Sequence, residues 1–261
     1  MSSSRSKVRT TVLGAPIDAI DWLRCLDRIV AWASRRESRY VCMCNVHSVV
    51  TARQDPKFRW VVSRADLAAP DGAPVAWRLR RMGFRGQQRI NGPDLMWRCC
   101  VRAAGAGLSV FLYGGNAHTL ARLRARLARE LPELTVAGCH APPFRPLTAE
   151  EDEEIVRMID RSGARIVFVA LGCPKQEAWM AAHRCRIRAV MIGVGAAFNY
   201  HAGVVARAPD WMRSAGLEWL HRLLSEPRRL WRRYLVTNTL FCAYLLGDIL
   251  RGGGGRARSE R

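Results

Sequence analysis

Two stretches of this chain keep apolar side chains at successive positions, and they constrain the fold more than anything else. They are ARIVFVALG (164–172) and AVMIGVG (189–195). Side chains of a strand alternate between its two faces. A run that is apolar on both faces must be covered on both, as in a parallel sheet flanked by helices. Other segments alternate with these runs and carry apolar residues at helical spacing, such as Ile20, Leu23, Leu26, Ile29 and Val30 between Asp18 and Ser34. Strand–helix alternation of this kind predicts an α/β fold: a Rossmann-like, mostly parallel sheet with helices on both faces.

The same reading places the remaining elements. KVRTTVLGAPID (7–18) is a strand, a turn at Gly14 and Pro16, and a returning strand. YVCMC (40–44) is a short buried strand, after which Asn45 suits the N-cap of a helix through VHSVVTAR. Asp55 and Pro56 open a further helix, because proline fits the first turn. ADLAAPDG (65–72) is a strand ending in a loop that carries Asp71, and Asp94 suits the cap of a later helix. LSVFLYGG (108–115) feeds a helix from Asn116 to Leu131. LTVAGCH is the next strand, and Thr148 with Glu151 makes a capping box before its helix. PKQEAWMAAHR is the helix that follows 164–172. Sheets of this class bind ligands at the carboxyl ends of their strands. Asn45, Asp71, Gly114, Gly172 and Gly195 all fall there.

Composition narrows the environment. The net charge is +20 and comes almost wholly from Arg, since Lys occurs only at 7, 57 and 175. A chain this basic meets anionic partners: nucleic acid, phosphates or an anionic membrane surface. Nine cysteines without a CxxC pair read as reduced core residues of a cytoplasmic protein. The start, MSSSRSKVRT, lacks the apolar core of a signal peptide. Composition shifts after Gly203: from 207 to 261 there are eleven Arg against five acidic residues, and GGGGRARSER is read as a flexible end. The expected organisation is an α/β domain over 1–203, an Arg-rich helical appendage over 204–250 and a tail over 251–261.

Five segments in order resemble the WecG/TagA/CpsF family of glycosyltransferases: NVHSVVTARQDP, ADLAAPDGAPVAWRLRRMG, QRINGPDLM, ALGCPKQEAWMAAHR with GVGAAFNYHAG, and RAPDWMRSAGLEWLHRLLSEPRRLWRRY. The resemblance spans roughly 7–234. It implies an inverting transferase that moves a hexose, N-acetylmannosamine among the candidates, from a UDP-sugar to an undecaprenyl-diphosphate-linked sugar in cell-envelope or exopolysaccharide assembly. No cofactor is implied.

The resemblance gives roles to residues that also have plain structural readings. Asp71 matches the family's catalytic base; a sugar hydroxyl is a poor nucleophile, and a carboxylate within reach can take its proton. Asp-Gly is also ordinary turn chemistry. Asn45 matches the Asn of the family's Thr-x-Asn, while Met43 stands where the Thr would be, with His47 nearby as a partly exposed helix residue. Gln176 matches the sugar-nucleotide contact, with Glu177 and Lys175 on the same first turn, where free N–H groups favour an anion. Gly114, Gly115 and Asn116 are read as a wall of the UDP pocket. Gly172 and Gly195 lie at strand ends, and Phe198 offers a ring for base stacking or for core packing. Arg89 is read as a pyrophosphate ligand, because a guanidinium forks onto phosphate oxygens.

The appendage carries Arg222, Arg229, Arg232 and Arg233, with Pro227 starting a new helix. The resemblance implies that it closes over the active site and supplies Arg to the departing UDP. No Asp-x-Asp motif is present, and Arg in that electrostatic role fits transfer without a metal. Residues 234–250 are largely apolar but short for a span, which needs about 20 residues. An amphipathic helix on the inner face of the cell membrane fits them better, making the protein peripheral and cytoplasmic. A homo-oligomer is compatible with this reading. Three other functional classes compete with this reading. A nucleic-acid binder is suggested by charge alone, without an RNP, KH or zinc-finger signature. An oxidoreductase would need the glycine fingerprint, which is missing. An inactive relative acting as a scaffold has Met43 as its one hint.

Overall fold

The apolar runs become strands because each hides its backbone groups in a ladder and its side chains under helices. The computed structural model of the protein describes residues 8–250, apart from the side chain of Arg229. Lys7, the 251–261 tail and the Arg229 side chain therefore lie outside the described residues. In chain order the elements are β1 (Val8–Val12), β2 (Ala15–Ala19), α1 (Trp22–Ser34), β3 (Arg39–Cys44), α2 (Val46–Gln54), α3 (Pro56–Ser63), β4 (Leu67–Pro70), α4 (Ala73–Arg81), α5 (Gly92–Gly105) and β5 (Val110–Gly114). They continue with α6 (Ala117–Glu130), β6 (Val136–His140), α7 (Ala149–Arg161), β7 (Ile166–Ala170), α8 (Lys175–His183), β8 (Val190–Gly193), α9 (Ala197–His201), α10 (Asp210–Ser214), α11 (Glu218–Ser225) and α12 (Pro227–Leu250). The expected α/β class is observed: a six-stranded parallel sheet of order β4-β3-β8-β7-β5-β6, flanked by helices, plus the β1-β2 hairpin.

Two compact units divide the chain, and neither is continuous in sequence. One comprises 23–43 and 91–207. Here β7 pairs with β5 through Val110↔Ile166 and with β8 through Ile166↔Val190, while β8 pairs with β3 through Arg39↔Val190. The central position of β7 is the physical reason for its uninterrupted apolar run. At the sheet edge, β6 is only half-buried throughout. Thr148 with Glu151 forms the expected capping box, while Asn116, expected as the first residue of its helix, is instead the cap of α6, accepting from Thr119 N at 2.8 Å. Three further expectations are corrected. Helix α1 begins at Trp22, because Asp18 belongs to β2, and Leu23 is 61% exposed while Cys25, Leu26 and Ile29 form the buried face. The cap of α5 is Asn91, which accepts from Asp94 N at 2.9 Å. Asp94 instead pairs with Arg207 at 2.6 Å. Of the cysteines, Cys25, Cys42, Cys99 and Cys100 are buried here, but Cys185 is exposed, as is Cys242 in the other unit.

The second unit comprises 8–22, 44–90 and 208–250. Its hairpin turns at Leu13 and Gly14, both with positive φ, as a two-residue type I′ turn requires. Pro16, expected in the turn, lies instead in β2 opposite Thr11. Asp18 is 1% exposed and takes a forked pair of hydrogen bonds from Arg9, at 2.8 and 2.7 Å. The same carboxylate accepts from Ala68 N in β4 at 2.7 Å. Arg9 also donates to Ser63 O and Ala65 O, tying the hairpin to the segment that enters β4. Helix α12 packs on α2, where Arg53 lies over the Tyr244 ring at 4.6 Å. Among the described residues, no helix is long and apolar enough to cross a membrane.

Removing one partner of a buried ion pair leaves the other charge unpaired, at a cost of several kcal/mol. Asp18→Ala is therefore expected to destabilise the protein by about 3 kcal/mol, read as a lowered urea midpoint, with β4 the first strand to lose amide-exchange protection.

Candidate active site

Strand β4 is four buried residues, LAAP, and Asp71 is the first polar group beyond it. Its backbone is fixed from both sides: Asp71 N donates to Cys44 O at 2.9 Å, and Ile90 N donates to Pro70 O at 2.9 Å. The chain then leaves through Gly72, whose φ of +90° is strained for any other residue. Asp71 is thus held, half-buried, at the carboxyl end of its strand.

Four polar groups surround that carboxylate, all within the same compact unit. Asn45 caps α2, its Oδ1 accepting from Ser48 N at 3.2 Å and Ser48 Oγ at 3.3 Å. That use of the oxygen leaves the side-chain NH2 to donate to Asp71. The two readings of Asn45 are therefore compatible: it caps the helix and touches the carboxylate. Arg89 arrives from the segment after α4, and Glu218 and Arg222 arrive from α11. Arg89 and Glu218 form an ion pair with side chains 18% and 16% exposed. Nε of Arg222 is buried without a hydrogen bond among the described residues and lies 3.9 Å from Glu226 Oε2 in an ion pair at the end of α11. Burial pushes the Asp71 carboxyl up to about 6; Arg89 pulls it down, Glu218 adds to the rise, and Asn45 and Arg222 oppose it. A carboxylate tuned to that range is mostly ionised at neutral pH yet basic enough to accept a proton.

Glu218 and Gly216 were not legible from sequence. Glu218 reads there as an acid in a helix's first turn, and nothing local announces a partner 129 positions away. Gly216 has φ +75°, and a Cβ there would fall 2.8 Å from the Ala73 Cβ. Its lack of a side chain lets the α10–α11 corner lie against the start of α4, beside Asp71.

The second group of expected site residues lies in the other unit, at the ends of β7, β8 and β5. Past β7 the chain turns at Gly172 (φ +80°) and passes the cis Cys173–Pro174 bond into α8. Gln176 is buried; its Nε2 donates to Glu177 Oε1 at 2.9 Å, and its Oε1 accepts from Gly172 N at 3.3 Å. A Cβ on Gly193 would fall 3.0 Å from Gln176 Nε2, so a bare strand end admits that side chain, with Gly195 next to it. Burial pushes the Glu177 carboxyl up against the donation from Gln176, and its Oε2 has no partner among the described residues. Lys175 is exposed on the same first turn. Gly114 (φ +116°) passes so close to Ala170 O that a Cβ would meet it at 2.6 Å. Gly115 runs beside Phe198, and Asn116 is exposed while capping α6. Phe198 is buried, so its ring is core packing rather than an open stacking face.

The remaining expectations separate. Met43 is a buried residue of β3 and His47 is half-buried on α2. Arg232 is exposed, its guanidinium over the Trp231 ring at 5.2 Å. From the appendage, Arg222 brings a charge that acts on Asp71.

Compared with families of known proteins, residues 10–254 match the family described as Glycosyl transferase WecG/TagA/CpsF.

The raised carboxyl has a consequence that needs no substrate. A folded-state value of about 6 against an ordinary value near 3.8 means that the proton stabilises the folded protein. That stability is fully present below the unfolded value and is lost as pH climbs through about 6. Asp71→Asn escapes the loss. Its stability relative to the unmodified protein should rise by roughly 2 kcal/mol between pH 4 and pH 7.5, measured by urea unfolding at both pH values. A constant difference contradicts the burial of the charge.

Proposed function

The chain belongs to the WecG/TagA/CpsF family of glycosyltransferases, and on that premise we propose an inverting transfer with Asp71 as general base. The donor is a UDP-hexose, with UDP-N-acetylmannosamine the first to test. The acceptor is an undecaprenyl-diphosphate-linked sugar, and the products are a lipid-linked disaccharide and UDP. The acceptor hydroxyl attacks the anomeric carbon, Asp71 takes its proton, and the bond from that carbon to the phosphate oxygen breaks. A single displacement inverts the anomeric configuration.

The observation that carries this reading is the carboxylate at the end of β4, raised to about 6 and accompanied by two guanidiniums. As UDP departs, negative charge grows on its diphosphate, and Arg222, with Arg89 beside it, supplies the compensation. Arg222 Nε makes no hydrogen bond among the described residues and is held only by a 3.9 Å ion pair with Glu226, which supports that assignment. Gln176, Glu177 and Lys175 at the start of α8, with the Gly114–Asn116 turn, are assigned to donor binding, since a helix N-terminus favours an anion.

A lipid-linked acceptor calls for a membrane surface. Trp211, Trp219, Trp231, Leu235, Ile249 and Leu250 on α10–α12 are all exposed, next to several Arg. Aromatic and aliphatic groups mixed with cations suit the interface of an anionic bilayer. We therefore place the protein on the inner face of the cell membrane, with 204–250 as the element that both meets lipid and brings Arg222 to the base.

The test is a screen of UDP-sugars against a short-chain lipid-diphosphate-sugar, following UDP release and product mass. Asp71→Asn is expected to lose about 10²–10⁴-fold in turnover while still binding UDP. Unmodified enzyme should gain kcat/KM as pH rises through about 6, because the base must be ionised. Arg222→Ala should lower kcat by about 10²-fold with little change in donor KM, since the charge it meets develops only in the transition state. Near-normal turnover by Asp71→Asn removes Asp71 from the role.

A further inference from the structure

Two guanidiniums beside one carboxylate set a problem for a base. Nearby cations hold a carboxyl down by about 1–3 units and make it a poor proton acceptor. Arg89 and Arg222 both act on Asp71 in that direction. The groups that face Asp71 are Asn45 from the start of α2, Arg89 from the segment after α4, and Glu218 and Arg222 from α11. Of these, only Glu218 carries a second negative charge. Its carboxylate is bonded to Arg89, and both side chains are largely withdrawn from water. An acid that merely complements the helix dipole at the start of α11 would need neither that burial nor that partner.

We infer that Glu218 is a positioning residue for the transfer, which closes Arg89 into an ion pair beside Asp71 and so keeps that carboxylate basic enough to take the acceptor's proton. Arg89 then contributes a nearly neutral pair in the resting protein, while Arg222, held more loosely by Glu226 at 3.9 Å, supplies charge to the anionic leaving group. The close approach at Gly216 holds the first turn of α11 where Glu218 can reach. This inference rests on the reading of Asp71 as the base, and its test is built to separate the two.

The full chain labelled with ¹³C at the aspartate side-chain carboxyls is titrated by NMR, with Asp71→Asn identifying the Asp71 resonance. Glu218→Gln removes a repelling charge and uncovers Arg89, so the Asp71 midpoint should fall by about half a unit to one unit. Glu218→Asp keeps a charge and should restore most of the shift. In an Arg89→Gln background the effect of Glu218→Gln should shrink, because a Glu218 no longer held by Arg89 turns to solvent and acts less on Asp71. A midpoint that stays or rises in Glu218→Gln overturns the inference. So does an equal fall in both backgrounds, which would show direct repulsion by Glu218 with no part played by its pairing to Arg89. The acid limb of kcat/KM should move down with the NMR midpoint. If the midpoint moves while the rate profile does not, Glu218 tunes Asp71 but Asp71 is not the base.

Discussion

Everything distinctive in this molecule turns on a carboxylate partly withdrawn from water at the end of a short apolar strand. Desolvation disfavours its charged form, and opposite charges nearby favour it. Asp71 experiences both, and its value of about 6 is their balance. Burial alone would neutralise the group, and two uncompensated arginines would leave it inert. The Arg89–Glu218 pair lies between these extremes. Proton affinity is thus set by an arrangement of four side chains drawn from three separate stretches of chain.

The scaffold's part is to deliver those stretches. A parallel sheet gathers its strand ends on one edge, so Asn45 after β3 and Asp71 after β4 arrive there without special sequence. Asp18 then ties β4 to the hairpin through Ala68 N, an anchor three residues before the catalytic candidate. Helix α11 depends on two small concessions, the positive φ of Gly216 and its missing Cβ. Loss of either would push α11 away from the start of α4 and take Glu218 and Arg222 with it. Family membership makes the chain a glycosyltransferase; these local contacts explain how such an enzyme would keep its base competent.

What sequence could and could not convey follows from the range of the forces involved. Strands, helices and caps are local, and the β7 run, the Asn45 cap and the Thr148–Glu151 box were all readable. Boundaries were less so: Asp18 looked like the start of α1 because apolar spacing continues past it, yet its side chain is spent on Arg9. Phe198 gave no sign of whether its ring was open or packed. The sequence marked Asp71 and Arg222 as candidates through a family resemblance. It had no means of showing that Arg89 would meet a carboxylate 129 positions away, because that pairing exists only once α11 is folded back.

The most direct test of Asp71 as a base is chemical rescue. Asp71→Ala leaves a gap that a small carboxylate such as formate can enter. If Asp71 takes the acceptor proton, added formate restores transfer in a saturable manner, and the restored rate no longer follows an ionisation near 6. Two results would contradict this: full transfer by Asp71→Ala without formate, or a variant that still binds UDP and gains nothing from formate at any concentration.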